Sequence, residues 1–127
     1  MLSTSIIALP LLAASVFAAP APQAPATGRV RVQFANNWSG ANGNAWIPLD
    51  GSAVALGHAY ANTNLFKDGT LFVTSLQFTA NFQHVSCKVL KHGSKQVADI
   101  HNPGQDYQTF SQKPVDWAKG FTIHCRA

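Results

Sequence analysis

The chain of 127 residues carries nine Lys and Arg against five Asp and no Glu, which gives a formal net charge of +4. This length allows one small domain. The positive charges are dispersed and form no basic run interleaved with aromatic residues, which argues against a dedicated nucleic-acid binder; they suit a solubility role, or weak association with anionic surfaces such as acidic polymers and membranes.

The N-terminal segment predicts export. Residues 2–17 form an uncharged apolar run that is too short for a membrane span, and Val16-Phe17-Ala18 suits recognition by signal peptidase. We therefore expect a signal peptide over residues 1–18, no transmembrane segment, and a secreted, extracellular product. Residues 19–28 hold three prolines and no charge, which predicts a Pro/Ala-rich leader without a packed structure. Residues 29–127 then form a single β domain.

The first predicted strand, residues 29–34, alternates strictly between polar side chains and three inward-facing apolar ones. Residues 36–44 are rich in Asn and Gly, and Asn42-Gly43 predicts a tight turn in this loop. A second strand is expected over residues 45–49, where Pro48 indicates the edge of a sheet because it has no N–H to donate.

The middle of the chain is less regular. Residues 54–61 are apolar with a central glycine, which predicts a bent strand or an extended segment. Lys67-Asp68-Gly69 predicts a turn. It leads into a long strand over residues 70–82, in which apolar residues on both faces near the start indicate that this end is covered twice.

The two cysteines lie in the most informative stretches. Residues 85–91 and 121–126 both alternate with period two, and Cys87 and Cys125 fall on the inward side of each. Because they are the only cysteines and the chain is predicted to be exported, we expect one disulfide between two core strands. Closing a loop of that length stabilises a fold by up to about 4 kcal/mol.

Turn signals divide the rest of the C-terminal half. His92-Gly93-Ser94 predicts a hairpin into a strand over residues 95–101, and Asn102-Pro103-Gly104 ends that strand. A last hairpin is expected from residues 107–110 to Asp116-Trp117. Roughly seven or eight short strands in this arrangement indicate an all-β fold, a compact antiparallel β-sandwich or small β-barrel with one disulfide.

The titratable residues match no recognised catalytic or metal-binding pattern. Asp50 and Asp68 each precede a glycine in a turn, where Asp serves the backbone. Five histidines are present, but none has ligand spacing, although Asp99 and His101 should share a strand face. We expect no enzyme activity, cofactor or metal. The alternative is a small secreted hydrolase such as a ribonuclease, built from two histidines and a cation.

The tryptophans suggest a second alternative, a small glycan-binding module. Trp38 lies in the Asn/Gly-rich loop, Trp46 on the outward side of an edge strand, and Trp117 in a polar turn. Exposed rings in such positions stack on sugars, whereas in a small domain a tryptophan also commonly closes the core. Asn37-Trp38-Ser39 is the one N-glycosylation sequon of the chain.

Five short strings of the mature sequence resemble small secreted fungal proteins of the hypersensitive-response-inducing elicitor and effector type. They are VRVQFAN (residues 30–36), SGANGN (39–44), PLDG (48–51), SCKVL (86–90) and TIHC (122–125). The resemblance implies a compact, non-catalytic β protein released by a filamentous fungus. Its partner would be a plant host receptor or cell-wall component in the apoplast, where it triggers or modulates defence.

Overall fold

The structure, a computed structural model, describes residues 28–127. The predicted signal peptide, and the leader apart from Gly28, lie outside the described residues. Eleven strands and one short helix make up the described part of the chain. In chain order they are β1 Arg29–Ala35, β2 Asn42–Pro48, β3 Val54–Ala55, α1 Leu56–Ala59, β4 Phe66–Lys67, β5 Thr70–Val73, β6 Ser75–Ala80, β7 Ser86–Lys91, β8 Lys95–His101, β9 Tyr107–Thr109, β10 Val115–Asp116 and β11 Phe121–Arg126.

These strands form three antiparallel sheets. The first sheet has the order β9-β6-β1-β2, the small sheet has the order β10-β5-β4, and the disulfide sheet has the order β3-β11-β7-β8. Their buried side chains share one hydrophobic core. The all-β prediction is confirmed, and the described sheets are arranged like a sandwich rather than a closed barrel.

The alternation of β1 explains its central position in the first sheet. Val30, Val32 and Phe34 are fully buried, while the residues between them are partly exposed, so one side of β1 faces the core and both edges pair with neighbours. β2 lies at the edge of the sheet, as Pro48 indicated.

The disulfide is confirmed. Cys87 on β7 and Cys125 on β11 are directly opposite each other in the strand register, with an S–S distance of 2.03 Å and a Cα–Cα distance of 4.1 Å. Both are buried. The bond therefore joins two neighbouring strands of one sheet on its core side, and the predicted hairpin from β7 to β8 completes that sheet.

Aromatic rings fill the centre of the core. Trp117 is stacked between Phe110, at 4.0 Å between ring centroids, and Phe121, at 4.8 Å. Phe34 contacts the same indole edge-on at 6.2 Å. Trp117 is only 6% exposed, so it closes the core, which was one of the two alternatives, and it is not available as a surface ring.

The tight turn predicted at Asn42-Gly43 was also wrong, because both residues belong to β2. The chain turns earlier, at residues 37–39, and Gly40 takes the positive φ of +82°. Gly43 is required for another reason: a Cβ there would stand 2.4 Å from Cβ of Thr63. This glycine permits a close approach rather than a turn.

Residues 54–61 form neither a bent strand nor an extended segment. The two-residue strand β3 leads directly into helix α1. Leu56 and Tyr60, four residues apart, are both fully buried, which places them on one side of the helical turn. Gly57 allows the turn to pack on the backbone of Ala118, whose carbonyl oxygen would be 2.1 Å from a Cβ at that position.

The long strand predicted over residues 70–82 is two strands that belong to different sheets. β5 buries Leu71 and Val73, whereas β6 buries Leu76 and Phe78, so the inward positions change from odd to even at Thr74. This change of parity explains why apolar residues occupied both faces of the sequence pattern.

The last predicted hairpin does not form either. β9 pairs with β6 and β10 pairs with β5, so the two segments join different sheets. Among residues 28–127, no helix has the length and apolar character that a membrane span needs.

Candidate functional site

Four large hydrophobic side chains stand out from the surface. Trp38 is 68% exposed, Tyr107 48%, Phe72 44% and Trp46 40%. The expected exposure of Trp38 and Trp46 is confirmed, whereas Trp117 belongs to the core. Since aromatic rings are enriched among residues that contribute to recognition, these positions are candidates for contact with a partner.

A network of hydrogen bonds fixes the loop that carries Trp38, hereafter the Trp38 turn (residues 36–41). The Asn36 side-chain oxygen accepts from the backbone N–H groups of Trp38, at 2.9 Å, and Ser39, at 3.2 Å, and the Ser39 hydroxyl accepts from the N–H of Ala41 at 3.2 Å. These are the local side-chain bonds that make Asn and Ser good turn residues. The turn is therefore held in one conformation even though its tip is in water.

The Trp38 turn is also connected to the core. The N–H of Asn37 donates to the hydroxyl oxygen of Thr74 at 3.0 Å, and that hydroxyl is 3.3 Å from the carbonyl oxygen of Ala35. Thr74 is almost fully buried at the junction of β5 and β6. The bend that ends β5 thus positions the turn beside the strand that carries Phe72.

On one side of the Trp38 turn lies a cavity of about 520 Å³, the amide groove. Its walls include Asn36 and Ser39 from the turn, Asn64 from the segment before β4, and Phe72 from β5. Asn64 and Phe72 are exposed. The groove therefore offers an apolar ring next to side-chain amides and a hydroxyl, and Lys67 and Asp68 add one charge of each sign. This combination suits a partner with both apolar faces and polar groups.

On the other side of the turn stands Tyr107. The pKa of its hydroxyl is lowered, chiefly by a hydrogen bond with the Thr109 hydroxyl and also by bonds with the side chains of Ser75 and Asn37. The distance from Tyr107 Oη to Thr109 Oγ1 is 2.6 Å. The side chain of Asn37, the sequon residue, thus faces Tyr107, while its neighbours line the amide groove. Glycosylation of Asn37 stays a prediction.

Trp46 is separate from this surface. It lies on β2, the edge strand, opposite Arg31, and the guanidinium of Arg29 lies 5.3 Å from its ring centroid. An arginine over an indole face is a favourable cation–π contact, so part of this ring is already occupied by the protein itself. The structure does not bring Trp38, Trp46 and Trp117 together into one platform.

The aspartates serve separate, local purposes. The Ser52 hydroxyl and N–H hydrogen-bond the carboxylate of Asp50 and lower its pKa, and Asp116 accepts from the N–H of Leu71 and of Ala118. The contact of Asp50 agrees with the expectation that an aspartate before a turn glycine bonds the backbone, whereas Asp116 does so from a strand. The prediction that Asp99 and His101 share a strand face is confirmed, because Oδ2 of Asp99 lies 3.6 Å from Nδ1 of His101.

The histidines do not gather into a site. His58, His84 and His92 are exposed, while His124 is half-buried and hydrogen-bonds Thr122 at 2.8 Å. Within residues 28–127, no three His, Cys, Asp or Glu side chains are placed to hold a metal ion.

Sequence reasoning missed Phe72, Tyr107 and the groove. A single strand over residues 70–82 puts Phe72 on the same side as Leu76 and Phe78, but those two are buried and Phe72 is exposed. The one signal was Thr74-Ser75, a polar pair within an apolar stretch, at the position where the parity changes. No family model, curated protein or solved structure matches the chain.

Proposed function

We propose that this chain is a secreted, non-catalytic protein of the elicitor or effector type, which binds a plant-host component through the Trp38 turn and the amide groove. The observation that carries the proposal is the exposure of Trp38, 68%, on a turn whose backbone is fixed by side-chain hydrogen bonds. The host and the defence role come from the resemblance of the sequence strings.

Pre-organisation supports a binding role for this surface. Association costs free energy when loops and side chains become ordered at an interface, and a turn that is already fixed avoids part of that cost. The exposed rings of Trp38, Phe72 and Tyr107 lie on or beside this turn. Interaction hot spots are enriched in aromatic residues such as Trp and Tyr.

Leaf infiltration tests the proposal. The purified protein should induce cell death or an oxidative burst, and Trp38→Ala should reduce the response because it removes the most exposed ring. Trp46→Ala is the matched control, since that tryptophan lies away from the groove and should leave the response unchanged.

Four results would contradict the proposal. One is a native protein that produces no response, together with unchanged virulence when the gene is deleted. Equal losses in the two tryptophan variants would show that the groove is not involved. Turnover of RNA or polysaccharide by the purified protein would contradict a non-catalytic role. A fully occupied glycan at Asn37 whose removal by Asn37→Gln does not affect the response would show that the turn is not the contact surface.

A glycan-binding module is the second candidate, favoured by the exposed Phe72 ring beside the Asn64 amide in the groove. Rings stack on sugar faces while amides bond the hydroxyls. Retention on chitin or cellulose should then fall in Trp38→Ala and Phe72→Ala but not in Trp46→Ala. If the protein induces leaf responses but is not retained on any neutral polysaccharide, the glycan-binding candidate is excluded and a host receptor remains the proposed partner.

A further inference from the structure

The outward face of the disulfide sheet carries charged residues that the proposed function does not use. Lys88, on the central strand β7, is directly opposite His124 of β11 on one side and Asp99 of β8 on the other. In the next row, Ser86 of β7 is opposite Arg126 on one side and His101 on the other. Because directly opposite residues on antiparallel strands point to the same face, six polar side chains share this area.

This area is concave. A cavity of about 300 Å³, the outer pocket, is lined by the polar side chains of Ser86, Lys88, Gln96, Asp99, His124 and Arg126, together with Gly51, Cys87 and Leu90. Its volume is at the lower end of the range for small-molecule sites, which suits a ligand the size of one or two sugar rings.

The two strands that carry most of the outer pocket are joined to each other on the core side of the sheet. Cys87 lies between Ser86 and Lys88, and Cys125 between His124 and Arg126, so the disulfide joins the two strands at this point on their core side. The ring of His124 is held at both nitrogens, 2.8 Å from Oγ1 of Thr122 and 3.4 Å from the carbonyl oxygen of Gly51.

The charges of the outer pocket are unbalanced. Among residues 28–127 the close contact between a carboxylate and a basic side chain is that of Asp99 with His101, at 3.6 Å, so Lys88 and Arg126 have no carboxylate in direct contact. The charge of Arg126 is the smallest of the influences that act on the pKa of Asp50. Two cations, Lys88 and Arg126, outnumber the one carboxylate of the pocket, Asp99. This excess fits one anionic group.

We propose that the outer pocket binds a uronic-acid residue of an acidic polysaccharide. A uronate has one carboxylate, which Lys88 and Arg126 would bind by charge-assisted hydrogen bonds, and several hydroxyls. Those hydroxyls can donate to Asp99 and exchange hydrogen bonds with Ser86 and Gln96. The carboxylate of Asp99 disfavours a densely charged phosphate polymer, because it would repel a second anion close by.

Titration calorimetry with a galacturonic acid trimer tests this proposal, with a fully methyl-esterified trimer as the size-matched neutral ligand. The acid should bind and the ester should bind at least roughly tenfold more weakly, since one charge-assisted contact accounts for about that factor. Lys88→Gln and Arg126→Gln should each weaken binding of the acid by a similar factor. Lys113→Gln, an exposed cation outside the pocket, is the matched control and should bind like the parent protein.

Amide shifts in a ¹H–¹⁵N spectrum locate the ligand, and they also show whether each variant is folded. The largest shifts should fall on Ser86, Lys88, His124 and Arg126. The proposal is overturned if the ester binds as tightly as the acid, or if Lys113→Gln weakens binding as much as Lys88→Gln. It is equally overturned if inorganic phosphate or phosphatidylserine vesicles bind more tightly than the trimer. The Trp38 turn belongs to another sheet. A protein that does not bind the trimer at the outer pocket can therefore still give the leaf response predicted for the Trp38 turn.

Discussion

Tyr60 illustrates how much one polar atom contributes to this core. Its side chain is fully buried, its ring meets Phe34 edge-on at 5.0 Å, and its hydroxyl donates to the carbonyl oxygen of Val32 at 2.8 Å. Burial raises its pKa well above the ordinary value for tyrosine. Helix α1 is thus tied to the central strand of the first sheet.

Replacing Tyr60 with Phe should lower the free energy of unfolding by about 1–2 kcal/mol, because a buried hydrogen bond is lost while the ring contacts remain. The pH dependence should change as well. The folded-state pKa is raised, so the contribution of Tyr60 is present below the ordinary tyrosine pKa. It is lost as pH rises beyond it, at up to about 1.4 kcal/mol per pH unit.

Urea unfolding between roughly pH 8 and pH 11 measures both effects. The parent protein should lose stability with pH more steeply than Tyr60→Phe, which still contains Tyr107 and all the lysines as internal controls. Identical slopes for the two proteins would show that Tyr60 ionises equally in the folded and unfolded states.

Gly43 is the second residue with a defined role. Its missing Cβ leaves room for Thr63, whose Cβ would be at 2.4 Å. Gly43→Ala should therefore destabilise the protein by about 1–3 kcal/mol through overpacking, whereas Asn42→Ala, the exposed neighbour on the same strand, should change stability by less than about 0.5 kcal/mol. Thermal unfolding compares them. A Gly43→Ala protein as stable as Asn42→Ala would mean that Thr63 moves aside freely.

At the scale of elements, the decisive feature is the bend at Thr74. The sequence pattern predicted a single strand, and the structure instead assigns β5 to the small sheet and β6 to the first sheet. The Thr74 carbonyl accepts from the N–H of Phe110 at 2.9 Å, so the chain crosses here between sheets with its backbone groups satisfied. The contacts that hold this bend come from distant segments, which single-sequence patterns do not contain.

Thr74→Val keeps the shape of the side chain and removes its hydroxyl. The N–H of Asn37 then loses its acceptor, so we expect a loss of about 1–2 kcal/mol in stability and faster amide exchange within the Trp38 turn. Hydrogen exchange at Asn37 measures this directly. Ser94→Ala, which removes an exposed hydroxyl from the turn between β7 and β8, is the control and should leave that amide protected. Unchanged protection of the Asn37 amide in Thr74→Val would show that the Thr74 hydroxyl does not stabilise the Trp38 turn.

Helix α1 shows a second limit of pattern reasoning. The four-residue spacing of Leu56 and Tyr60 was present in the sequence, but a helix of four residues is too short to be stable by itself. It forms because Leu56 and Tyr60 fit the core and Gly57 admits the backbone of Ala118. Strands with strict alternation, such as β1 and β11, were predictable because one face of each is buried along its full length.

At the scale of the whole molecule, the disulfide sheet links stability to the outer pocket. The cysteines are 38 residues apart in sequence, for which the chain-entropy model gives about 4 kcal/mol. The Cys87→Ala, Cys125→Ala double variant should lose up to about that much stability in urea unfolding. If it remains folded, it should bind the galacturonic acid trimer more weakly than the parent. Unchanged stability would mean that the unfolded chain gains no freedom when the bond is absent.

The sequence predicted the scaffold better than the sites. Cysteine number, parity and the predicted export signal together predicted the bond between Cys87 and Cys125 before any coordinates. Neither cavity was predictable, because each depends on strand order: the outer pocket needs β7 between β11 and β8, and the amide groove needs the Trp38 turn beside the β4–β5 hairpin. Trp117 was misplaced for the same reason, since its stacking partners come from separate segments.

The central proposal is an exported binding protein in which one disulfide joins two neighbouring strands of a sheet. Intact-mass spectrometry of the chain recovered from the culture medium of a secreting fungal host tests it most directly. We predict a mature chain that begins at Ala19, is two hydrogens lighter than its reduced form, and yields a linked peptide pair containing Cys87 and Cys125. A chain found only inside the cells, still beginning at Met1 and with two free thiols, would contradict the claim.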